Sequence, residues 1–277
     1  MISAYLVSFF RDPGHICVIH KEDLRSGILM SADIQTSECI RGAGVPAYTM
    51  NIRAIAVTPR GVLHAIGGYN TVCHFHRSID SDRWKVRILT YSDKETRINS
   101  IMRLMYVEEA GTLALICRDV FTGDVQIRDF DADSSTLGPA HTIPHSSCAW
   151  GVAARGRMLA LRSYDQTIRV YDVHNKTEVF TSKPCYSTGR LFLTADRIYV
   201  INEKYDTGIR AVHISPDAVN KEWTKLQGYV DVGAQFAVVP IELNGRLVMC
   251  ALGSDGKTTS CRSYDDVAKC WHELELD

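Results

Sequence analysis

The chain has 277 residues, with 31 Lys plus Arg set against 32 Asp plus Glu and a formal net charge of −1. That balance carries no excess of positive charge to draw the protein to nucleic acid or to an anionic membrane surface. Its 45% apolar content is enough for a sizeable core.

In chain order, the first ten residues are apolar but lack the positively charged region and small-residue cleavage site of a secretory signal, which predicts a cytoplasmic protein without an anchor. Almost no stretch has sustained helical periodicity. Short runs of Val, Ile, Leu, Thr and Tyr alternate with Gly, Asp, Asn, Ser and Pro, the pattern of many short antiparallel strands. Residues 2–9 open a weak internal repeat that returns at 51–58, 98–105, 148–154, 189–195 and 234–240, about every 40–50 residues. Each segment predicts a strand A. A second apolar strand, B, follows at 14–20, 62–67, 112–117, 158–163, 197–202 and 246–252. A third, C, follows at 71–76, 124–130, 167–173, 208–214 and 258–264. Trp84, Trp223 and Trp271 mark the start of a fourth strand, D. The polar, irregular stretch 23–44 leaves the first unit the least regular.

One four-stranded sheet cannot bury both of its faces alone. Six of them packed radially bury one another and leave only short edges. The sequence therefore predicts an all-β chain, a single β-propeller domain over residues 1–277, most simply with six four-stranded blades. Nine cysteines, odd in number and without a C-x-x-C pair, predict free buried thiols in a reducing compartment.

Residues Ser163-Tyr164-Asp165-Gln166-Thr167 and the following Ile168-Arg169-Val170-Tyr171-Asp172 resemble the B–C turn and C strand of a WD-repeat blade, with Tyr171-Asp172 in the place of Trp-Asp. Blade number, blade length and tryptophan near strand D also resemble the six-bladed fungal fucose lectins. Those lectins repeat a sugar-binding Arg, Glu and aromatic, whereas strand B here offers His64, Leu113, Leu159 and Val248. This resemblance implies the scaffold and not the sugar chemistry.

In such a ring the D–A and B–C loops emerge on one face and the A–B and C–D turns on the other. The D–A loops carry Tyr48, Tyr91, Tyr186 and Tyr229, with His145 in the corresponding place; the B–C turns carry Tyr69, Phe121, Tyr164 and Tyr205. The opposite turns are charged or small. Tyrosine offers rigid apolar area with one hydroxyl, which suits recognition. For any single tyrosine, packing between neighbouring blades, which only stabilises them, is the simpler reading; it is their concentration on one face that points to a site. Arg53, Asn99, Arg190 and Gln235, with Trp150 close by, fall near the channel end of strand A.

The expected site is therefore a tyrosine-rich pocket at the channel mouth. Tyr91, His145, Tyr186, Arg53 and Arg190 are its candidate catalytic groups. Tyr48, Tyr69, Phe121, Trp150, Tyr164, Tyr205, Tyr229, Gln235 and Asn99 are its candidate ligand contacts. No Walker loop, Rossmann fingerprint, nucleophile elbow or H-E-x-x-H is present, so no cofactor is expected. His74-x-His76 puts two imidazoles on one strand face, but spacing supplies no third metal ligand, and a half-buried strand pair is the simpler reading. The leading expectation is an apolar or aromatic small molecule held by positioning and hydrogen bonding, with cofactor-free cyclase, pericyclase (hetero-Diels–Alderase-like) or isomerase chemistry of natural-product metabolism as its active form. The alternative is a WD-repeat-like scaffold holding a protein, and a third reading is a sugar-binding lectin.

Overall fold

The computed structural model describes residues 5–9, 15–20, 30–33, 52–67, 72–78, 85–91, 98–147, 149, 151–186, 189–201, 209–214, 222–226, 237–243, 246–252 and 258–274. These residues form six sheets in chain order, antiparallel throughout except for one short edge strand. The first contains β1 (Tyr5–Phe9), β2 (His15–His20) and β3 (Met30–Asp33). The second contains β4 (Ile52–Val57), β5 (Val62–Gly67), β6 (Cys73–Ser78) and β7 (Lys85–Ile88). A short β8 (Thr90–Tyr91) then joins the outer edge of the third sheet, in parallel with the last of its strands β9 (Ile98–Val107), β10 (Thr112–Asp119), β11 (Val125–Asp131) and β12 (Thr136–Thr142). The fourth contains β13 (Gly151–Arg155), β14 (Met158–Arg162), β15 (Ile168–Asp172) and β16 (Thr177–Thr181). The fifth contains β17 (Arg190–Leu193), β18 (Arg197–Ile201), β19 (Ile209–His213) and β20 (Thr224–Leu226). The sixth contains β21 (Ala237–Leu243), β22 (Arg246–Leu252), β23 (Thr258–Asp265) and β24 (Cys270–Leu274).

The expected strands A, B and C therefore coincide with observed strands in sheets two to six, within a few residues. The largest offset is at β21, which lies three residues later than expected at both ends, and β13 begins at Gly151, after a turn in which Ala149 N donates to Ser146 O at 2.9 Å. The A–B hairpins are tight where glycine permits it. Gly61 and Gly111, at φ of 70° and 65°, donate back to Thr58 O and Glu108 O.

Why the B strands read as unbroken apolar runs is now visible. In β10, Leu113 and Leu115 face the second sheet, while Ala114 and Ile116 face the fourth. In β18, Ile198 and Val200 face the fourth sheet, while Tyr199 and Ile201 face the sixth. A strand buried on both faces has no polar side to alternate with. Each such side chain, fully buried, contributes about 1.5–3 kcal/mol.

The first strands of the first five sheets lie side by side, β1 by β4, β4 by β9, β9 by β13 and β13 by β17. The last strands, such as β7 and β16, are largely exposed. Inner strands thus converge and outer ones diverge. Arg155, at the end of β13, also pairs with Glu242 of β21, joining the fourth sheet to the sixth across the intervening fifth. Among the described residues, Cys73, Cys117, Cys185, Cys250, Cys261 and Cys270 form no disulfide.

Candidate functional site

In the third and fourth sheets the B–C turn and the following D–A loop are bonded to one another, so each pair behaves as one rigid unit. In the third sheet, Arg118 Nη1 donates to Gly123 O at 2.9 Å and to Ser147 O at 2.7 Å. Ser146 Oγ accepts from Val125 N at 2.7 Å. Asp119 Oδ1 accepts from the backbone N–H groups of Phe121 and Thr122, both at 2.8 Å, and its Oδ2 accepts from Gln126 Nε2 at 2.9 Å. The Thr122 N–H, foremost among these donors, holds the Asp119 carboxyl below its usual range. In the fourth sheet, Ser182 Oγ accepts from Ile168 N at 3.0 Å, as Ser146 does from Val125, and Cys185 N donates to Gln166 O at 2.8 Å. Thr167 donates to Asp165 through its hydroxyl and its N–H, depressing that carboxyl in the same way.

These stitched loops hold large aromatic rings in water. Phe121 and Tyr164 are each 80% exposed and Tyr186 is 84% exposed. His145, at φ 59°, stands exposed in the same loop as Ser146 and Ser147. Tyr164 and Tyr186 belong to one bonded loop pair, and Phe121 and His145 to the neighbouring one.

No family model matches the chain, and no curated protein matches it. Among solved structures, the computationally designed Ika8 protein superposes with a TM-score of 0.50 at 14% identity, over 97% of this chain and 73% of that one. A protein of unknown function from Bacteroides caccae gives 0.55 at 10% identity, over 99% of this chain and 94% of that one. A chain of a Mitotic Checkpoint Complex gives 0.49 at 12% identity over 81% of this chain, which spans 64% of it. At these identities the likeness to the first two shows the fold alone, and it agrees with sheets packed in sequence around converging first strands. The fold is a β-propeller.

The propeller places the remaining expected residues unevenly. Tyr91 does not stand at the face. As part of β8 it is half-buried in the seam between the second and third sheets, packed beside Leu89 and Leu137, because the D–A segment pairs with β12 instead of looping free. Arg53 is exposed on β4 and Arg190 is exposed at the start of β17. Asn99 lies within β9. Tyr48, Tyr69, Trp150, Tyr205, Tyr229 and Gln235 lie outside the described residues.

The same seam holds a group that spacing could not assemble. His64 of β5 pairs in register with His76 of β6, and Ile66 with His74, so all four side chains share one face of the second sheet. The three imidazoles stack with ring centroids 5.0 to 6.2 Å apart. His64 Nδ1 lies 3.0 Å from His74 Nε2, and His74 Nδ1 lies 2.8 Å from Ser135 Oγ in the next sheet. Phe130 meets the His74 ring edge-on at 4.8 Å. Burial lowers all three imidazoles, His64 to about 4 and His74 to about 3, so the stack is neutral at physiological pH. The signal in the sequence was His74-x-His76 alone. Ser135 is 61 residues from His74, and only the packing of two sheets brings them together.

Proposed function

We propose that this propeller is a recognition protein that holds a segment of a partner protein on its B–C and D–A face. The observation that carries the reading is the near-complete exposure of Phe121, Tyr164 and Tyr186 on loops fixed by internal hydrogen bonds. A ring held rigidly in water loses little entropy when a partner covers it, and aromatic anchors of this kind dominate binding energy at interfaces. Small-molecule cyclisation, the leading expectation from the sequence, asks the same rings to close around a substrate. Their outward exposure favours partner recognition instead, the alternative weighed from the same residues.

The test is affinity capture with wild-type protein and with a Phe121→Ser, Tyr164→Ser, Tyr186→Ser variant, followed by binding measurements with the purified partner. Loss of at least about tenfold in affinity, at unchanged melting temperature, is expected. A partner that binds both proteins equally would refute the assignment of this face.

A further inference from the structure

Two adjoining cavities of about 360 and 500 Å³ open between the second and third sheets, on the side of the A–B and C–D turns and away from the exposed aromatic loops. Both are lined by Thr58, His64, Tyr106 and Asp133. The smaller extends over Leu113 and Phe130, and the larger reaches Arg60, His76 and Arg87. Cavities that hold small ligands have volumes of this order, roughly 300–1,000 Å³. We propose that the cleft binds a small aromatic carboxylate, independently of the recognition face.

Three features select that chemistry. Tyr106, Leu113 and Phe130 offer an apolar and aromatic surface of ring size. In the larger cavity Arg60 and Arg87 bring two guanidinium groups against one carboxylate, Asp133, while the smaller is also lined by Asp131 and by Asp129, which is paired with Lys176. Guanidinium groups favour carboxylates by geometry as well as charge.

The third feature is the polarity of the histidine chain. Each neutral imidazole has one donor and one acceptor nitrogen. If Ser135 Oγ donates to His74 Nδ1, His74 Nε2 donates to His64 Nδ1. His64 Nε2 then carries the remaining proton and presents a donor on a residue that lines the cleft. The reversed chain would present a lone pair. An anion selects the first arrangement, and donors linked in series strengthen one another. Ser135 is fully buried behind His74. It acts as a positioning residue that sets the direction of the chain, without touching the ligand.

The experiment titrates the full chain with benzoate and follows the ring nitrogens of His64 and His74 by nitrogen-15 NMR. Benzamide and inorganic phosphate serve as comparison probes. Benzoate is expected to saturate with a Kd of about 1 mM, as befits so small a ligand. Benzamide, which lacks the charge, and phosphate, which lacks the ring, are each expected to bind about tenfold more weakly or less. On saturation His64 should settle in the Nε2–H tautomer. Arg60→Gln, at an exposed turn, should weaken benzoate by about fivefold or more. Ser135→Ala should weaken it by a few-fold and abolish the tautomer preference, with melting temperatures reporting that both variants fold. Absence of saturable change up to about 20 mM benzoate, equal binding of benzamide, or unchanged benzoate affinity in both variants would each overturn the proposal. Binding that persists in the Phe121, Tyr164 and Tyr186 triple variant separates this cleft from the recognition face.

Discussion

Acid should destabilise this propeller well above the pH at which its carboxylates respond, because its buried histidines are held neutral. In the unfolded chain an imidazole titrates near 6.5, whereas in the fold His64 falls to about 4 and His74 to about 3. Burial is the main cause for both. His76 presses His64 down, and His64, His76 and Arg87 press His74 down, while Asp133 pulls His64 the other way. Groups whose folded pKa is depressed bind protons preferentially when unfolded. For histidine this stability is fully present above 6.5 and drains away as pH falls toward the folded values. At about pH 5 each of the two costs about 2 kcal/mol relative to about pH 7.5, together about 4 kcal/mol. At about 2–4 °C per kcal/mol for a domain of this size, melting temperature should fall by about 10 °C. Asp119, Asp131, Asp165 and Asp265 are depressed from a starting value of 3.8, so their contribution is lost only at lower pH. The assay is thermal unfolding by circular dichroism at constant ionic strength, in steps between those two pH values, for wild type and His74→Leu. The variant should be less stable near neutrality by about 1–3 kcal/mol, since Ser135 Oγ and His64 Nδ1 lose a partner. Its fall on acidification should be about half as large. A wild-type melting temperature that does not fall, or a His74→Leu fall as steep as that of the wild type, would refute the reasoning.

Three further outcomes follow from the packing. Leu115→Ala, at a fully buried position shared by the second and third sheets, should cost about 2–5 kcal/mol in denaturant titration. Asp119→Ala removes the acceptor that fixes the Phe121 turn and should cost about 1 kcal/mol, with faster amide exchange at Phe121 and Thr122. Cys250 and Cys261 face each other in register and are almost fully buried, with the Cys250 thiol pushed up by its bond to Cys261 and by burial. Mass spectrometry after brief thiol alkylation should therefore find Cys270, which is only partly buried, modified well before either.

The architecture was legible because its signal is local and repeated. Apolar B strands such as Leu113–Cys117 advertise burial on both faces, and they recur about every 40–50 residues. The site was legible only where loops behave alike. Tyr186 and Phe121 stand exposed as their loop positions suggested, but Tyr91, in a formally equivalent loop, packs into a seam. The difference is β8, a two-residue strand that no periodicity could reveal. The serines that stitch the loops, Ser146 and Ser182, sit at different distances from the strands they cap, 21 and 14 residues, so they form no visible motif. His64, His74 and Ser135 join through cross-strand register and inter-sheet packing, both of which depend on the assembled sheets.

The seams differ in the polar groups they bury. Between the fourth and fifth sheets the apolar cluster shares the interior with Arg162, which is fully buried and donates to Gly189 O at 3.3 Å. The seam between the second and third sheets is apolar around Ile66, Leu104 and Leu115 but ends in three imidazoles. A buried polar group stabilises little even when bonded and costs when it is not. His76 Nδ1 is buried without a partner among the described residues. Stability alone would therefore favour hydrocarbon here. The joint variant His64→Leu, His74→Leu, His76→Leu, Ser135→Ala removes donors and acceptors together and leaves no half-broken chain. It should fold at neutral pH with stability within about 1–2 kcal/mol of wild type or above it, and show a much flatter pH dependence between about 5 and 7.5. A joint variant that collapses at neutral pH would mean the imidazoles hold the seam together. One that stays folded while benzoate binding disappears would mean they are kept there for the cleft, at the expense of stability in acid.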